Sequence, residues 1–233
     1  MPAAEAMAKS LVHRDIKLLT RFDPDYPPLL RELNDPPSLL YLRGNALDQS
    51  KGTVTVTGTR SAGAAGMELT SRLVKGLVRH DVQIVSTLWG GIDSAVHLAA
   101  RSGGGVSFAV IDCGVDRLEH TEGLPVAIDI LEKGGVISEY SPEVPSTSQT
   151  TLETNRLLAG MAQAVVVTEF YTDSTRTLDL LRACREIGKL AFVVIGSGPD
   201  TLSDEKALAQ AHEYGANLIE RLERVDDIVR SLV

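Results

Sequence analysis

The chain has 233 residues, of which 43% are hydrophobic and 23% charged, and its formal net charge is −8 at pH 7. This composition is typical of a globular protein and argues against a broad basic face for non-specific duplex binding, although a local basic pocket is compatible with it. No apolar run approaches the roughly 20 residues that span a bilayer, and the start of the chain lacks a signal-peptide core, so we expect no membrane association. Cys113 and Cys184 lack metal spacing and lie in apolar patterns, which predicts free buried thiols and a cytoplasmic location.

The first part of the chain, residues 1–45, is predicted to be an N-terminal extension. Residues 1–20 form a short amphipathic segment. Five prolines then follow between Pro24 and Pro37, and prolines at this density forbid a long helix. A short strand is predicted over residues 38–42.

The remainder, residues 46–233, is predicted to be one Rossmann-like domain with a doubly wound, mostly parallel sheet and helices on both faces. Its strands are short apolar runs that alternate with helical patterns, as expected for a sheet buried on both sides. The predicted strands cover residues 53–57, 82–86, 107–111, 135–137, 164–168, 190–195 and 216–218, and the predicted helices cover 64–80, 92–102, 124–133, 151–161, 175–188, 204–214 and 225–232. Ligands of such sheets bind at the carboxyl ends of the strands, so the functional residues should follow those ends.

The first such end is the turn Gly58-Thr59-Arg60-Ser61, which joins a strand directly to a helix. Glycine lets backbone approach a ligand, a helix N-terminus offers N–H groups to an anion, and Arg60 adds a guanidinium. The turn therefore predicts a phosphate site, although it matches neither the dinucleotide fingerprint nor a Walker A loop. The alternative is a tight structural turn with a solvated arginine.

The second strand end carries Gly90-Gly91, followed by Asp93 and His97 one helical turn apart. This pair suits either a catalytic or metal couple or a helix cap with a packed histidine, and the second interpretation is favoured because no third metal ligand is near. Trp89, the only tryptophan, is interpreted either as a stacking platform or as a core residue.

Later strand ends add further polar residues near predicted helix starts. Asn155 and Arg156 are placed to meet an anion, with an ordinary solvated helix turn as the alternative. Ser174 and its neighbours are explained equally well by phosphate binding and by helix capping. Because Arg60, Arg156 and Arg176 all follow strand ends, the pattern favours an anionic, nucleotide-like ligand. We expect the Arg60 and Arg156 guanidinium groups to meet over one edge of the sheet.

The order of these motifs resembles the bacterial DNA-processing protein A family (DprA, also called Smf). The family pattern V-G-S-R corresponds to T-G-T-R at residues 57–60, and S-G-x-A-x-G-I-D-x-x-A-H corresponds to residues 86–97. The C-G, S-E-Y-P and R-N-R-I-I-A-G-L motifs correspond to residues 113–114, 138–140 and 154–161. The correspondence covers about three quarters of the chain.

The resemblance implies a single-stranded DNA binder that acts as a homodimer and loads the RecA recombinase during natural transformation. It implies that Arg60, Asn155 and Arg156 contact DNA. The chain departs from the family at residues 118–122, where two glutamates replace a lysine-bearing stretch, at Thr154, which replaces the first arginine of R-N-R, and at residues 174–180, which replace S-G-S-L-I-T-A. The first two changes remove positive charge, which should weaken phosphate binding.

The sequence thus predicts a non-enzymatic single-stranded DNA-binding protein without catalytic residues, metal or cofactor. The alternative is a domain of the same fold that binds a nucleotide or nucleotide-derived signal. A third class is a nucleotide hydrolase with Asp93 or Glu139 as general base; a catalytic combination of Asp93 and His97 with Ser86 is the weakest option.

Overall fold

A computed structural model of the chain describes residues 9–120, 123–195, 204–219 and 228–229. Its centre is a nine-stranded sheet with the order β1-β2-β6-β5-β4-β3-β7-β8-β9. The strands are β1 (Ile16–Thr20), β2 (Leu39–Gly44), β3 (Thr53–Thr57), β4 (Gln83–Ser86), β5 (Ser107–Val110), β6 (Gly135–Ser138), β7 (Ala164–Val167), β8 (Leu190–Val194) and β9 (Asn217–Ile219). β3 to β9 pair in parallel, whereas β1 and β2 are antiparallel additions at one edge.

In the described part of the chain, six α-helices of at least eight residues connect or follow these strands. They are α1 (Ala64–Arg79), α2 (Ile92–Ser102), α3 (Leu124–Leu131), α4 (Ser148–Gly160), α5 (Thr175–Glu186) and α6 (Glu205–Glu213). Two short 3₁₀ segments cover Pro28–Glu32 and Val115–His120. None of the helices among the described residues is long and apolar enough to cross a membrane.

Side chains of the central strands alternate between two layers of core. Val54 and Val56 of β3 pack with α1 and α2, whereas Val165 and Val167 of β7 pack with α4 and α5 on the opposite face. This alternation follows from the two-residue period of a strand, and it explains why strands buried on both faces are continuously apolar. The predicted Rossmann-like α/β fold is therefore confirmed.

The chain runs outward from β3 in two directions, and this sets the position of the candidate site. β4, β5 and β6 lie on one side of β3, and β7, β8 and β9 lie on the other. A crevice opens where the order reverses, at the carboxyl ends of β3 and β7.

The N-terminal segment contributes two strands to this sheet. β2 pairs with β6, with Leu42 opposite Ile137, and β1 covers the outer side of β2. The predicted strand over residues 38–42 is confirmed with a small shift, whereas β1 lies inside the segment predicted to be amphipathic. The boundary at residue 45 stays a prediction. The predicted closing helix over 225–232 lies outside the described residues except for 228–229.

Candidate functional site

A groove with a cavity of about 320 Å³ lies at the point where the strand order reverses. Three chain segments build it: the turn after β3, the turn after β4, and the loop between β7 and α5. Its lining residues are Gly58, Thr59, Arg60, Ser61, Trp89, Asp93, Tyr171, Asp173, Ser174, Thr175, Arg176 and Thr177. Six of the predicted site residues are therefore brought together here: Gly58, Thr59, Arg60, Ser61, Asp93 and Ser174.

Two arginines from separate segments converge on this groove. Arg60 and Arg176 are both exposed and line it together with Trp89. The Arg176 guanidinium carbon lies 4.4 Å from the centroid of the Trp89 ring, a distance at which a cation and an aromatic face attract each other. The same three residues line an adjoining cavity of about 270 Å³. The groove thus presents two guanidinium groups and an indole to one ligand.

The glycine pair after β4 permits this close assembly. Gly90 and Gly91 have φ angles of +91° and +57°, which favour glycine. A Cβ on Gly91 would lie 2.2 Å from the carbonyl oxygen of Arg60, so the two turns pack backbone to backbone. The Ile92 N–H also donates to the Thr59 carbonyl at 3.1 Å. The glycine pair therefore allows a close backbone approach to the Arg60 turn of the same chain.

The buried carboxyl of Asp93 ties the two turns together. It accepts hydrogen bonds from the hydroxyls of Thr57, at 2.7 Å, and of Thr87. Burial raises the pKa of Asp93 to about 6, although these hydrogen bonds oppose the rise. Because both carboxyl oxygens already accept hydrogen bonds, Asp93 positions the floor of the groove.

His97 lies one helical turn beyond Asp93 but bonds elsewhere. Its Nδ1 pairs with the Ser107 hydroxyl at 3.0 Å and its Nε2 with the Thr87 carbonyl at 2.9 Å, so Nε2 carries the proton and Nδ1 accepts one. Burial lowers the pKa of His97 to about 4, which keeps the ring neutral. These contacts match the packed-histidine interpretation, and the described residues contain no cluster of three or more metal-ligating side chains.

The N-terminus of α1, where the sequence predicts a phosphate, is occupied by the carboxylate of Glu169. The Gly63 N–H donates to Glu169 Oε1 and Oε2 at 3.1 and 3.2 Å, and the Tyr171 hydroxyl donates to Oε1 at 2.7 Å. A Cβ on Gly66 would lie only 1.7 Å from Oε2. Glu169 is 1% exposed. An internal carboxylate therefore lies at this helix end, and phosphate binding by the turn over residues 58–61 stays a prediction.

Arg156 does not join Arg60, contrary to the expectation. Its guanidinium contacts Glu139 Oε2 at 2.5 Å and the Asp35 carbonyl at 3.1 Å, and it lines neither cavity. Burial raises the pKa of Glu139, while Arg156 opposes that rise. The guanidinium is thus held by a half-buried carboxylate, and Arg176 takes the expected place beside Arg60.

Asn155, the neighbour of Arg156 on α4, points inward. It is 2% exposed, and within the described part of the chain neither polar atom of its side chain has a hydrogen-bond partner. Thr151, one turn earlier on the same helix, donates its hydroxyl to Asp112, which lines the second cavity. DNA contacts of Asn155 and Arg156 stay predictions.

Sequence reasoning did not identify three residues that shape this site: Glu169, Tyr171 and the paired role of Arg176. The signal for Glu169 was a carboxylate directly after an apolar strand, at the strand end where ligands bind.

Cys113, beside the second cavity, keeps its proton, because burial and the Asp112 charge raise the pKa of its thiol to about 11. Of the acidic stretch at 118–122, residues 121–122 lie outside the described residues.

The fold and the groove define a Rossmann-like α/β protein that presents arginines and an aromatic ring where its strand order reverses. The family model of DNA recombination-mediator protein A matches residues 17–232. The chain belongs to this family, and the resemblance to the DprA/Smf proteins is confirmed.

Individual relatives give the same result. The chain is 35% identical to the DNA processing protein DprA of Streptococcus pneumoniae, over 78% of this chain and 64% of that protein. It is 29% identical to DprA of Bacillus subtilis, over 84% of this chain and 69% of that protein. The chain thus spans less than two thirds of the length of the pneumococcal relative.

Solved structures of the family have the same fold. The X-ray structure of Streptococcus pneumoniae DprA superposes with a TM-score of 0.76 at 28% identity, covering 93% of this chain and 76% of that one. A Helicobacter pylori DprA structure, described by its single-stranded DNA binding mode, has a TM-score of 0.77 at 20% identity and covers 92% of this chain and 96% of that one. The second likeness shows the fold alone.

Proposed function

We propose that this chain is a DNA-processing protein that binds single-stranded DNA in the groove between β3 and β7. The observation that carries the proposal is the convergence of Arg60, Arg176 and Trp89 on one groove. Family membership and the single-stranded DNA binding of the Helicobacter pylori relative support it.

The chemistry of the groove favours single strands over duplex. Guanidinium groups hold backbone phosphates without reading sequence, and a partly buried indole such as that of Trp89 can stack on bases that are not already paired. Bases inside a duplex are stacked on each other and cannot reach Trp89. Since the chain carries a net charge of −8, we expect modest affinity that falls steeply with salt.

The test measures binding of a fluorescent oligothymidine between about 50 and 200 mM salt. Arg60→Ala and Arg176→Ala should each weaken binding and reduce the slope of log K against log salt by about 0.7 per lost phosphate contact. Arg79→Ala is the matched control, because Arg79 is exposed at the far end of α1 and its loss changes the net charge equally. Equal slopes for the Arg60 and Arg79 variants would sink the proposal.

The proposal includes RecA and a second copy of this chain as partners, and both rest on family membership. Light scattering after size exclusion tests the homodimer. Retention of this chain on immobilised RecA, with single-stranded DNA present, tests the other partner. A monomer that RecA does not retain would limit the function to DNA binding.

A mononucleotide-binding domain is the second candidate. The two adjoining cavities, of about 320 and 270 Å³, are close to the lower end of ordinary ligand pockets, roughly 300 Å³, and suit one phosphate and one base. Thermal stabilisation by a mononucleotide but not by oligonucleotides would favour it. We propose no catalytic activity for either candidate function. Release of base or phosphate from nucleoside monophosphates by the unmodified chain, together with its loss in Asp93→Asn, would overturn this proposal.

A further inference from the structure

We propose that the second cavity is a base subsite of the DNA groove that prefers guanine, with Asp112 as the group that reads the base. The inference rests on the proposed function, since it concerns the same groove. The cavity has a volume of about 270 Å³ and is lined by Arg60, Leu88, Trp89, Ile111, Asp112, Cys113, Leu118, Ser146 and Arg176.

The walls of this cavity suit a flat apolar ring. Leu88, Ile111 and Leu118 contribute aliphatic surface, and Trp89 contributes an indole. A base that enters between them is removed from water on its faces and keeps only its edge for polar contacts. Bases are read in this way by proteins that take them out of the stack.

The polar end of the cavity is the carboxylate of Asp112, which two hydroxyl groups hold in position. Asp112 is 6% exposed, and it accepts hydrogen bonds from the Ser146 hydroxyl at 2.9 Å and from the Thr151 hydroxyl. Both bonds end on Oδ2. A carboxylate has about four acceptor sites, so Oδ1 keeps acceptor capacity for a ligand, and the Ser146 oxygen is also an acceptor.

An acceptor-only end discriminates among the bases by their Watson–Crick edges. Guanine presents two adjacent donors, N1–H and the N2 amino group, which match two neighbouring acceptors. Thymine presents a single N–H between two carbonyl oxygens, and those oxygens are repelled by a carboxylate. Adenine and cytosine each place one amino group beside a ring nitrogen that accepts. Guanine therefore satisfies Asp112 best.

The two cavities adjoin each other, because Arg60, Trp89 and Arg176 line both. A base in the second cavity thus leaves its own phosphate within reach of the guanidinium groups of the first. The negative charge of Asp112 is directed at the base edge, while the two arginines compensate for it toward the backbone.

The experiment compares short oligothymidines in which one central base is guanine, hypoxanthine, adenine or cytosine, measured by anisotropy with the whole chain. The guanine oligomer should bind roughly fivefold to 100-fold more tightly than plain oligothymidine, the discrimination of a good two-donor contact. Hypoxanthine lacks the N2 amino group and should lose a large part of that gain. Asp112→Asn should bring the guanine and thymine oligomers to the same affinity, since an amide presents a donor as well as an acceptor.

The outcomes separate the inference from the function on which it rests. Equal affinities for guanine, hypoxanthine and thymine, with binding still dependent on Arg60, would overturn the base subsite and leave DNA binding in place. Retention of the guanine preference in a folded Asp112→Asn variant would overturn it too. If that variant does not fold, the hypoxanthine result on the unmodified chain decides. Absence of binding to every oligomer would remove the proposed function itself.

Discussion

The N-terminus of α1 and the groove beside it attract anions for different reasons and are satisfied in different ways. At the helix end, the carboxylate of Glu169 accepts the Gly63 N–H and fills the site from within the chain. In the groove, Arg60 and Arg176 face solvent along a wall that includes Trp89. The two places lie at the same edge of the sheet, yet only the groove is accessible to an external phosphate.

The difference shows what a strand–glycine–helix turn specifies. Such a turn specifies a preference for negative charge, because helix N–H groups and the helix dipole favour an anion. It does not specify whether the anion is a ligand or a side chain from a distant strand end. Here Glu169, more than 100 positions away in the sequence, supplies it. In the proposed function, the external phosphate is bound by the neighbouring side chains instead.

The largest expected effect concerns α2, where Asp93 and His97 shift the stability of the fold in opposite directions as pH changes. Burial raises the pKa of Asp93 from 3.8 to about 6, so the folded state holds the extra proton and loses stability as pH rises through that range. Burial lowers the pKa of His97 from 6.5 to about 4, so stability is lost as pH falls instead. Each effect is on the order of 3 kcal/mol, and the two should nearly cancel between pH 4 and 6.

Single variants should separate the opposing pH dependences of Asp93 and His97. In Asp93→Asn, the free energy of unfolding in urea should rise from pH 4 to pH 6 relative to the unmodified chain, because His97 then acts alone. In His97→Gln it should fall over the same range. Parallel profiles for all three proteins would show that Asp93 and His97 are not buried on α2 as described.

A smaller effect is expected at the helix end. Gly66→Ala would normally stabilise a helix by about 1 kcal/mol, but here the added Cβ displaces the Glu169 carboxylate. We expect a net destabilisation of about 2 kcal/mol, as for other overpacked interiors. Gly63→Ala is the matched control, because its Cβ would lie 3.7 Å from Glu169 Oε1. If Gly66→Ala is as stable as the unmodified chain, the carboxylate does not occupy the helix end.

The smallest effect is expected from Arg156, which lies outside both the N-terminus of α1 and the groove. Arg156→Gln removes the partner of Glu139 and should lower stability, yet it should leave the salt slope of oligothymidine binding unchanged. Arg176→Gln, the matched change in the groove, should reduce that slope by about 0.7. An equal loss of slope in both variants would mean that Arg156 turns toward the DNA.

The fold could be predicted because its signals are local. Apolar runs alternating with helical patterns indicate a parallel sheet, and the turn at Gly58 follows the first strand of the domain directly. The position of Arg60 could be predicted for the same reason. All of these features are properties of adjacent residues.

The remaining features depend on contacts between distant segments. Helix phase decides whether Asn155 or Arg156 faces inward, and the pattern did not resolve it. The stack of Arg176 on Trp89 joins the first turn of α5 to the loop after β4. The addition of β1 and β2 depends on pairing with β6, which is nearly 100 residues away. Short-range patterns cannot show such pairings.

The two antiparallel strands also have a role in colloidal behaviour. Without β2, the backbone groups of β6 along Gly135–Ser138 would form a bare edge flanked by Val136 and Ile137. Unpaired apolar edges template strand addition between molecules. β1 and β2 therefore cover an apolar edge of the parallel core, and a chain shortened to that core should be less soluble.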